Sequence, residues 1–343
     1  MAMPVHFLPA RLRAGLLTAC TSLLMLTAAQ PAPPVVPRVR TFAFDYQTTV
    51  AAPTAGARAL DLWLPVPHAD ASQDVRALKI EAPYPYEVQT GQYGNQMLHL
   101  RVSPAPTEPF TVALHCQVTR REHINPLLPK VAGRKAPAEP ADPNLGRWLA
   151  PDRLVPLDDS IRIWAMRVVA RAGARTELDQ ARAIYNHVVS TVKYDKSGQG
   201  WGRGDIYYAC DARRGNCTDF HALFIGYCRA LGIPARFSIG FPLPAERGQG
   251  EVKGYHCWAE FYTKQTGWVP IDASEAAKNP DKREYFFGHH DENRVELTRG
   301  RDLALTPRQQ GEPLNYFVYP YAEVDGKPYP GLTNQFRYRD ATE

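Results

Sequence analysis

Residues 215–224 read GNCTDFHALF, and they place Cys217 directly after a Gly-Asn pair at the start of an amphipathic run. Apolar residues recur along this run at helical spacing, at Phe220, Leu223, Phe224, Tyr227 and Leu231. Gly232 and then Pro234 end the pattern, so the spacing predicts a helix that begins at Cys217. A thiolate at a helix N-terminus faces unpaired backbone N–H groups and the positive end of the helix dipole. This position therefore favours a reactive thiol.

Two other polar residues lie in the first turns of the predicted helix. Asp219 would oppose thiolate formation if its side chain pointed inward, and we expect it to point outward and help the helix start. His221 lies on roughly the same helical face as Cys217, either as a packing or surface residue or as a supporting group beside the thiol. A cysteine at a helix start is most often a packing or capping residue, so the helix alone does not establish catalysis.

Two later segments supply an imidazole and a carboxylate. His256 lies in the strand-like run GYHCWAEFY at residues 254–262, on the same face as Trp258 and opposite Cys257. Asp272 directly follows the run GWVPI at residues 267–271. If the two strands pair as antiparallel neighbours, the Asp272 carboxylate reaches one imidazole nitrogen and stabilises the protonated ring. Cys217, His256 and Asp272 are therefore the predicted catalytic residues.

Together with the run CRALGIPAR at residues 228–236, these segments resemble the transglutaminase-like superfamily. In that family a Cys-headed helix ends in Arg-Ala-Gly-Ile-Pro-Ala-Arg or a close variant, followed by a His-Ala-Trp strand and a Gly-Trp segment before an Asp. Order and spacing agree, with 39 residues from Cys217 to His256 and 16 from His256 to Asp272. Cys257 stands where the family commonly has a small residue, and we expect it to pack rather than to take part in catalysis. The resemblance covers roughly residues 160–275.

The resemblance implies an α+β fold with a papain-like core, in which the Cys-bearing helix packs on an antiparallel sheet. It also implies acyl chemistry on peptide or protein amides, with Cys217 forming a thioester and His256 transferring the proton. The acceptor is an amine in crosslinking or water in proteolysis and deamidation, and the sequence leaves this open. A cysteine peptidase with the same triad is one alternative. A non-catalytic protein-binding module that retains the fold is the alternative from another class.

Aromatic residues near the predicted nucleophile are candidates for substrate binding. Trp201, Tyr207 and Tyr208 lie in a Gly- and Tyr-rich segment and either line an acyl pocket or anchor the loop; Trp258 shares the strand face of His256. We expect no cofactor, and no metal requirement because no EF-hand-like run occurs. The acidic pair after His289-His290 invites a metal interpretation, but without a spaced partner motif it indicates a solvated turn.

The chain before the core divides into three predicted segments. Residues 1–29 are typical of a signal peptide, with a basic start and an uncharged stretch that ends in small residues. The protein is thus expected to be exported, either periplasmic or extracellular; lipoprotein anchoring at Cys20 is an alternative with little apolar sequence before it. Residues 30–120 alternate with period two and predict an all-β sandwich-like domain. Residues 121–158 are rich in proline and charge and predict a linker.

Residues 159–343 then form the predicted catalytic domain with a C-terminal β extension. Its first helix has Ser160 as the expected cap, and its second begins with a capping box of Thr176 and Asp179. In the extension, Asp325-Gly326 predicts a hairpin turn.

Charge and cysteine content limit the partners. Removal of residues 1–29 takes away two arginines and no acids, so the net charge falls from +5 to +3, and the remaining basic residues are scattered. Nucleic-acid binding is therefore not expected, and the apolar stretch near the N-terminus is too short for a stable membrane span. The expected partner is a peptide or protein substrate, with the oligomeric state left open. Five cysteines remain after residue 29, so at least one thiol stays unpaired.

Overall fold

The computed structural model describes residues 1, 2, 4, 36–125 and 144–341. The predicted signal peptide, apart from three residues, and the middle of the predicted linker lie outside this part of the chain. Within the described residues, no helix is long and apolar enough to cross a membrane. Contacts within Val36–Glu343 make that segment one compact unit.

The period-two segments before residue 125 are strands, as predicted. They are β1 (Val39–Val50), β2 (Leu60–Val66), β3 (Gln73–Glu81), β4 (Tyr86–Thr90), β5 (Gln96–Val102), β6 (Phe110–Arg121) and β7 (His123–Ile124), with a 3₁₀ turn at Gln92–Gly94. Side chains of a strand point alternately to its two faces, so each alternating apolar set lies on one side. These sets are buried in one core: Phe42, Phe44 and Tyr46 from β1, Leu60, Leu62, Leu64 and Val66 from β2, Leu98, Leu100 and Val102 from β5, and Phe110, Val112, Leu114, Cys116 and Val118 from β6.

Helices and short strands alternate in the middle of the chain. In order they are a 3₁₀ turn (Leu145–Leu149), α1 (Asp159–Arg171), α2 (Glu177–Thr191), β8 (Lys193–Tyr194), α3 (Ile206–Ala212), β9 (Arg214–Gly215), α4 (Cys217–Ala230), β10 (Ala235–Pro242), β11 (Gln249–Glu251), β12 (His256–Thr263), β13 (Gly267–Ile271), α5 (Ala273–Lys278), a 3₁₀ turn (Pro280–Lys282), β14 (His289–His290) and β15 (Arg294–Arg299). The tail contains β16 (Tyr321–Val324), β17 (Lys327–Pro328) and β18 (Leu332–Asp340).

The first two helix starts differ in how well the sequence predicts them. The capping box of α2 is confirmed, because Thr176 Oγ1 accepts from the Asp179 N–H at 3.1 Å and Asp179 Oδ2 accepts from the Thr176 N–H at 3.3 Å. The predicted cap of α1 is wrong. Asp158, which has extended backbone angles, accepts from the N–H groups of Ser160 at 3.0 Å and Ile161 at 3.1 Å. Ser160 is therefore already inside the helix that it was expected to cap.

A four-stranded antiparallel sheet supports the Cys-bearing helix, with strand order β13-β12-β10-β15. β12 pairs with β13 in the register Ala259↔Ile271, which confirms the predicted pairing of the strands that carry His256 and precede Asp272. α4 packs on this sheet, where the rings of Phe224 and Phe261 lie 6.0 Å apart. The fold is therefore the expected α+β arrangement of a helix on an antiparallel sheet.

The run CRALGIPAR joins α4 to this sheet. Gly232 has a left-handed φ of 82°, and the Ile233 N–H returns to the Cys228 carbonyl at 2.9 Å, which ends the helix. Arg229 Nε donates to the Ala235 carbonyl at 2.9 Å, and Arg236 Nε donates to Glu260 Oε2 at 2.6 Å. The two arginines therefore hold the end of α4, β10 and β12 in a defined relation.

The C-terminal strands complete the two N-terminal sheets. β18 pairs with β1 and β16 pairs with β2, giving the strand orders β11-β18-β1-β6-β3 and β17-β16-β2-β5-β4. The hairpin turn between β16 and β17 is confirmed, with Asp325 and Gly326 both at positive φ. The domain boundaries remain predictions. The pairing adds that the segment assigned to a C-terminal extension is hydrogen-bonded to strands of the N-terminal sandwich.

Candidate active site

Cys217 begins α4 at the predicted position, and the residues around it hold that helix start in place. Asn216 is the N-cap, and its Oδ1 accepts from the Thr218 N–H at 2.9 Å, while Asp219 Oδ2 accepts from the Asn216 N–H at 2.9 Å. A side chain at Gly215 would place its Cβ 2.2 Å from Asp219 Oδ2, so glycine is required there. The Gly-Asn pair before the cysteine is therefore a capping device that orients the Cys217 side chain, which is 1% exposed.

The expectation that Asp219 points outward is wrong. Its side chain is fully buried and also accepts from the N–H groups of Gly202 at 2.7 Å and Gly204 at 3.0 Å. A Gly-rich loop lays these donors over the first turn of α4, so they replace water around the carboxylate. Burial raises the pKa of Asp219 against the lowering effect of these hydrogen bonds. Asp219 thus fixes the loop that carries Trp201 to the start of α4.

His256 and Asp272 lie in direct contact. His256 Nε2 is 2.7 Å from Asp272 Oδ2. The same carboxylate accepts from Arg294 Nη1 at 3.2 Å, from Ser274 Oγ at 3.1 Å and from the Glu275 N–H at 3.0 Å. Burial raises the pKa of Asp272, but the charge and hydrogen bond of His256, together with the charge of Arg294, hold it well below its usual range. A fully buried carboxylate with four donors stays ionised.

The Cys217 sulfur completes this arrangement, because its interactions with His256 and Cys257 lower its pKa. Because Nε2 of His256 faces Asp272, Nδ1 is the nitrogen that remains for the sulfur. Burial lowers the pKa of His256, but Asp272 and Cys217 outweigh it and raise that pKa to about 10. Burial raises the pKa of Cys217, but the hydrogen bonds of Cys257 and His256 and the charge of His256 hold it well below its usual range. The site therefore favours a thiolate–imidazolium pair at neutral pH.

A second buried imidazole, His221, also contacts the helix start. Its Nδ1 lies 2.8 Å from the Cys217 carbonyl oxygen, and its Nε2 accepts from the Ala273 N–H at 3.2 Å. These partners require a proton on Nδ1 and none on Nε2, so the ring is neutral. Burial lowers the pKa of His221, which agrees with that state. His221 joins the residue that carries the thiol to the residue that follows Asp272, which favours the supporting role over packing alone.

Cys257 is fully buried, as expected of a packing residue, and it also contacts the nucleophile. Its Sγ lies 3.7 Å from His221 Nδ1 and 3.9 Å from Thr218 Oγ1, and it hydrogen-bonds to the Cys217 sulfur. Burial and the Cys217 charge raise the pKa of Cys257 well above its usual range. Cys257 therefore stays a thiol, and its single proton is shared between Thr218 Oγ1 and the Cys217 sulfur. The sequence predicted the packing of Cys257 but not this contact.

The four aromatic residues predicted near the substrate have different surroundings. Trp201 is half-buried in the Gly-rich loop, and the Tyr208 ring packs under Gly200 of that loop. The Tyr207 hydroxyl donates to Asp158 Oδ2 at 2.5 Å, and its ring packs against Trp164 of α1. Trp258 is 1% exposed and lies 5.9 Å from the His256 ring, with the Arg294 guanidinium 4.8 Å from its centroid. Their roles in substrate binding remain predictions.

Several residues beside the site carry no motif signal. Tyr194 of β8 pairs with Gly215 in a parallel register, and the Asp195 N–H donates to the Gly215 carbonyl at 3.0 Å. Glu275 Oε1 lies 3.9 Å from His256 Nε2. Arg294 reaches Asp272 from β15, 22 residues later in the chain. These residues come together through strand pairing, so only the helix position of Glu275, three residues after Asp272, could have been noticed beforehand.

No group of three or more His, Cys, Asp or Glu that could hold a metal ion occurs in the described part of the chain. The prediction of a solvated turn at residues 289–292 is wrong for His290. This residue lies in β14, which pairs with β7, and it is fully buried, with Nε2 donating to the Ile271 carbonyl at 3.0 Å. The five cysteines after residue 29 are all free thiols.

The middle of the chain is similar to a known protein family. Residues 165–273 match the model of the transglutaminase-like superfamily, so this segment of the chain is a transglutaminase-like core domain. The matched segment contains Cys217, His256 and Asp272.

Two curated proteins and one solved structure are similar to larger or smaller parts of the chain. An uncharacterized protein of Haemophilus influenzae is 26% identical over 345 residues, covering 88% of this chain and 92% of that protein. The protein YebA of Bacillus subtilis, also uncharacterized, is 23% identical over 145 residues, covering 38% of this chain and 20% of that protein. A candidate cysteine protease from Cytophaga hutchinsonii has a TM-score of 0.58 at 17% identity, covering 89% of this chain and 92% of that one. It shares the fold with this chain.

Proposed function

We propose that this protein is an exported thiol enzyme that transfers or hydrolyses acyl groups of peptide or protein amides. Cys217 is the nucleophile, His256 the acid and base, and Asp272 the residue that orients and charges His256. The observation that carries the proposal is the position of His256, which hydrogen-bonds to Asp272 through Nε2 and lowers the pKa of Cys217. The matched family and the fold shared with a candidate cysteine protease support the same class of chemistry.

The reaction follows from the charges in the resting site. The Cys217 thiolate attacks the amide carbonyl carbon, and the carbonyl electrons move to oxygen. The N–H of Cys217, at the first helical position, has no intrahelical acceptor and is a candidate donor for that oxyanion. The Nδ1 proton of His256 then passes to the leaving nitrogen as the C–N bond breaks, which leaves a thioester and a neutral imidazole.

The second half of the reaction regenerates the enzyme. Neutral His256 takes a proton from the incoming water or amine as it attacks the thioester carbonyl, and the C–S bond breaks to restore the thiolate. Asp272 stays ionised throughout because His256, Arg294, Ser274 and Glu275 all donate to it. Its charge stabilises the imidazolium at both stages.

Alkylation of the thiols tests the nucleophile without a known substrate. At pH 6 we expect iodoacetamide to label Cys217 far faster than Cys210, which is half-exposed but has its pKa raised to about 11 by burial. Peptide mapping after short exposure measures both rates in one sample, and Cys217→Ala should remove the fast phase. Equal rates at Cys217 and Cys210 would contradict the proposal and favour a non-catalytic binding module.

Product analysis separates the two reactions. Incorporation of a labelled primary amine into a glutamine peptide supports transfer, and release of ammonia or a new peptide N-terminus supports hydrolysis. Cys217→Ala is the control for both assays. The candidate cysteine protease with the same fold makes peptide hydrolysis the first reaction to assay.

The proposed export rests on the composition of residues 1–29. N-terminal sequencing of the protein from a periplasmic or culture fraction should begin at Gln30. A chain recovered from the cytoplasm with residues 1–29 intact would contradict export.

A further inference from the structure

Two lysine ammonium groups lie on segments that flank the proposed active site without taking part in the Cys-His-Asp arrangement. Lys278 Nζ, at the end of α5, lies 4.7 Å from the centroid of the Tyr194 ring. Lys196 Nζ lies 5.8 Å from the same ring and 5.9 Å from the Trp201 ring. We call Lys196 and Lys278 the lysine pair. Both lysines are exposed, so their charges face solvent.

Strand pairing places Tyr194, whose ring both lysines contact, next to the segment that leads to Cys217. Tyr194 is in register with Gly215, two residues before Cys217. Burial raises the pKa of Tyr194 most, and the charge of Cys217 raises it further. From the other direction, α5 begins directly after Asp272, and Glu275 of α5 lies 3.9 Å from His256 Nε2 and forms an ion pair with Lys278. The lysine pair therefore lies on segments that flank the site. We call Lys196, Lys278 and Glu275 the rim of the site.

The rim carries more positive than negative charge. Glu275 balances Lys278, but Lys196 makes no ion pair with any carboxylate in the described part of the chain. Its contacts are with the two aromatic rings, and such exposed cation–π contacts are worth only about 0.5–1 kcal/mol. The charge of Lys196 is thus uncompensated by a carboxylate, and its N–H donors remain available to a ligand.

We propose that Lys196 and Lys278 recognise a carboxylate of the acyl donor close to the amide that Cys217 attacks, so that the preferred substrate is an acidic peptide. This inference rests on the proposed function and names its substrate class. The carboxylate receives hydrogen bonds from Lys196 and lies within the field of Lys278. An ammonium group is suited to this role because it presents several donors on a flexible stem.

A matched pair of alkylating reagents tests the charge preference directly. Iodoacetate and iodoacetamide have nearly the same shape, and both react with the thiolate, so the ratio of their rates at Cys217 cancels any change in thiolate fraction. One unit charge at about 7 Å in a water-like medium contributes roughly threefold to this ratio. We expect the ratio in the folded protein to exceed that of the unfolded chain several-fold, and to decline as salt is added.

The variants assign the effect to the lysine pair. Lys196→Gln and Lys278→Gln should each lower the ratio about threefold, and the double variant about tenfold. Lys264→Gln is the matched control, because Lys264 is an exposed lysine in the turn at the end of β12 away from His256 and should leave the ratio unchanged. A ratio that is the same in the wild type, in the double variant and in the unfolded chain would overturn the inference.

Failure of the proposed function gives a different result. If Cys217 is not a poised nucleophile, iodoacetamide alone reacts slowly with the wild type at pH 6, whatever the ratio. If Cys217 is poised but the lysine pair does not bind carboxylates, iodoacetamide reacts fast and the ratio is insensitive to Lys196→Gln and Lys278→Gln. Once a peptide substrate is found, replacing its nearest glutamate by glutamine should raise KM in the wild type and have little effect in the double variant.

Discussion

Two histidines flank the start of α4, and they differ in charge although both are buried. His256 contacts the Asp272 carboxylate and the Cys217 sulfur, and its pKa is raised to about 10. His221 contacts a backbone carbonyl and a backbone N–H, and burial lowers its pKa. Burial alone therefore does not set the charge of an imidazole. A direct hydrogen bond to the Asp272 carboxylate keeps the proton on His256, whereas Nε2 of His221 accepts from the Ala273 N–H and lies 3.7 Å from Asp272 Oδ1, so the neutral ring satisfies its partners.

The residues around His256 and the residues around His221 therefore affect the Cys217 sulfur differently. We call them the charged side and the neutral side. The charged side supplies the positive charge that stabilises the thiolate. The neutral side supplies neutral contacts that hold Cys217 and Ala273 in a fixed relation, and Cys257 adds one thiol donor there. Changes on the charged side should alter reactivity most, and changes on the neutral side should alter geometry and stability first.

The largest expected effect comes from removing the charged side with His256→Asn. Without the imidazolium, the pKa of Cys217 returns at least to the ordinary thiol value of about 8.5, so the thiolate fraction at pH 6 falls to about 1 in 300. Iodoacetamide labelling at pH 6 should slow by that factor or more. His115→Asn, at a half-exposed histidine of β6, is the control. A His256→Asn variant that labels as fast as the wild type would remove the basis of the comparison.

Alkaline pH should weaken the charged side in the intact protein. The pKa of His256 is raised to about 10, so its stabilising contribution is complete below its unfolded pKa of about 6.5 and is lost as pH rises through about 10. The melting temperature of the wild type should therefore drop more between pH 8 and pH 11 than that of His256→Asn. Parallel decreases in both proteins would mean that the His256 ring is neutral in the folded state.

On the neutral side, His221→Gln should lower the free energy of unfolding more than it lowers the reactivity of Cys217. The variant leaves the Cys217 carbonyl or the Ala273 N–H with a poorly placed partner, and an unsatisfied buried group costs about 1–3 kcal/mol. Urea unfolding should show that loss. The apparent pKa of Cys217, measured from the pH dependence of labelling, should stay far below that of an ordinary thiol, since His256 remains charged. A shift of this pKa as large as in His256→Asn would show that the two histidines are equivalent.

The smallest effect is expected for Cys257→Ala. It removes one thiol donor to the Cys217 sulfur and leaves His256 and Asp272 in place. A hydrogen bond of about 0.5–1.5 kcal/mol corresponds to a rise of roughly one pH unit or less in the apparent pKa of Cys217. The pH dependence of iodoacetamide labelling measures this rise. The control is Cys228→Ala, which removes a different buried thiol, located on α4. A lowered pKa in Cys257→Ala would contradict the assignment of Cys257 as a donor.

The sequence predicted the parts of this protein whose signal is local. Period-two alternation identified the strands of the sandwich, helical spacing identified the start of α4 at Cys217, and three short motifs indicated the transglutaminase-like core. These predictions succeed because strand and helix periodicity, capping and helix termination depend on residues close together in the chain.

The orientation of Asp219 and the burial of His290 were wrong for the opposite reason. A carboxylate or imidazole points inward only if donors and acceptors from distant segments meet it, as the Gly-rich loop meets Asp219 and the Ile271 carbonyl meets His290. Sequence spacing carries no information on such partners.

The sequence alone predicts the fold class, the helix that presents the thiol and the three residues proposed for catalysis. The tertiary structure decides the charges of the two histidines and the contact of Cys257 with the Cys217 sulfur. It also decides the ion pair of Arg294 with Asp272 and the position of the lysine pair. The physical reason is that periodicity and capping are properties of neighbouring residues. Protonation and electrostatic fields, in contrast, are set by groups that strand pairing and packing bring together from remote parts of the chain.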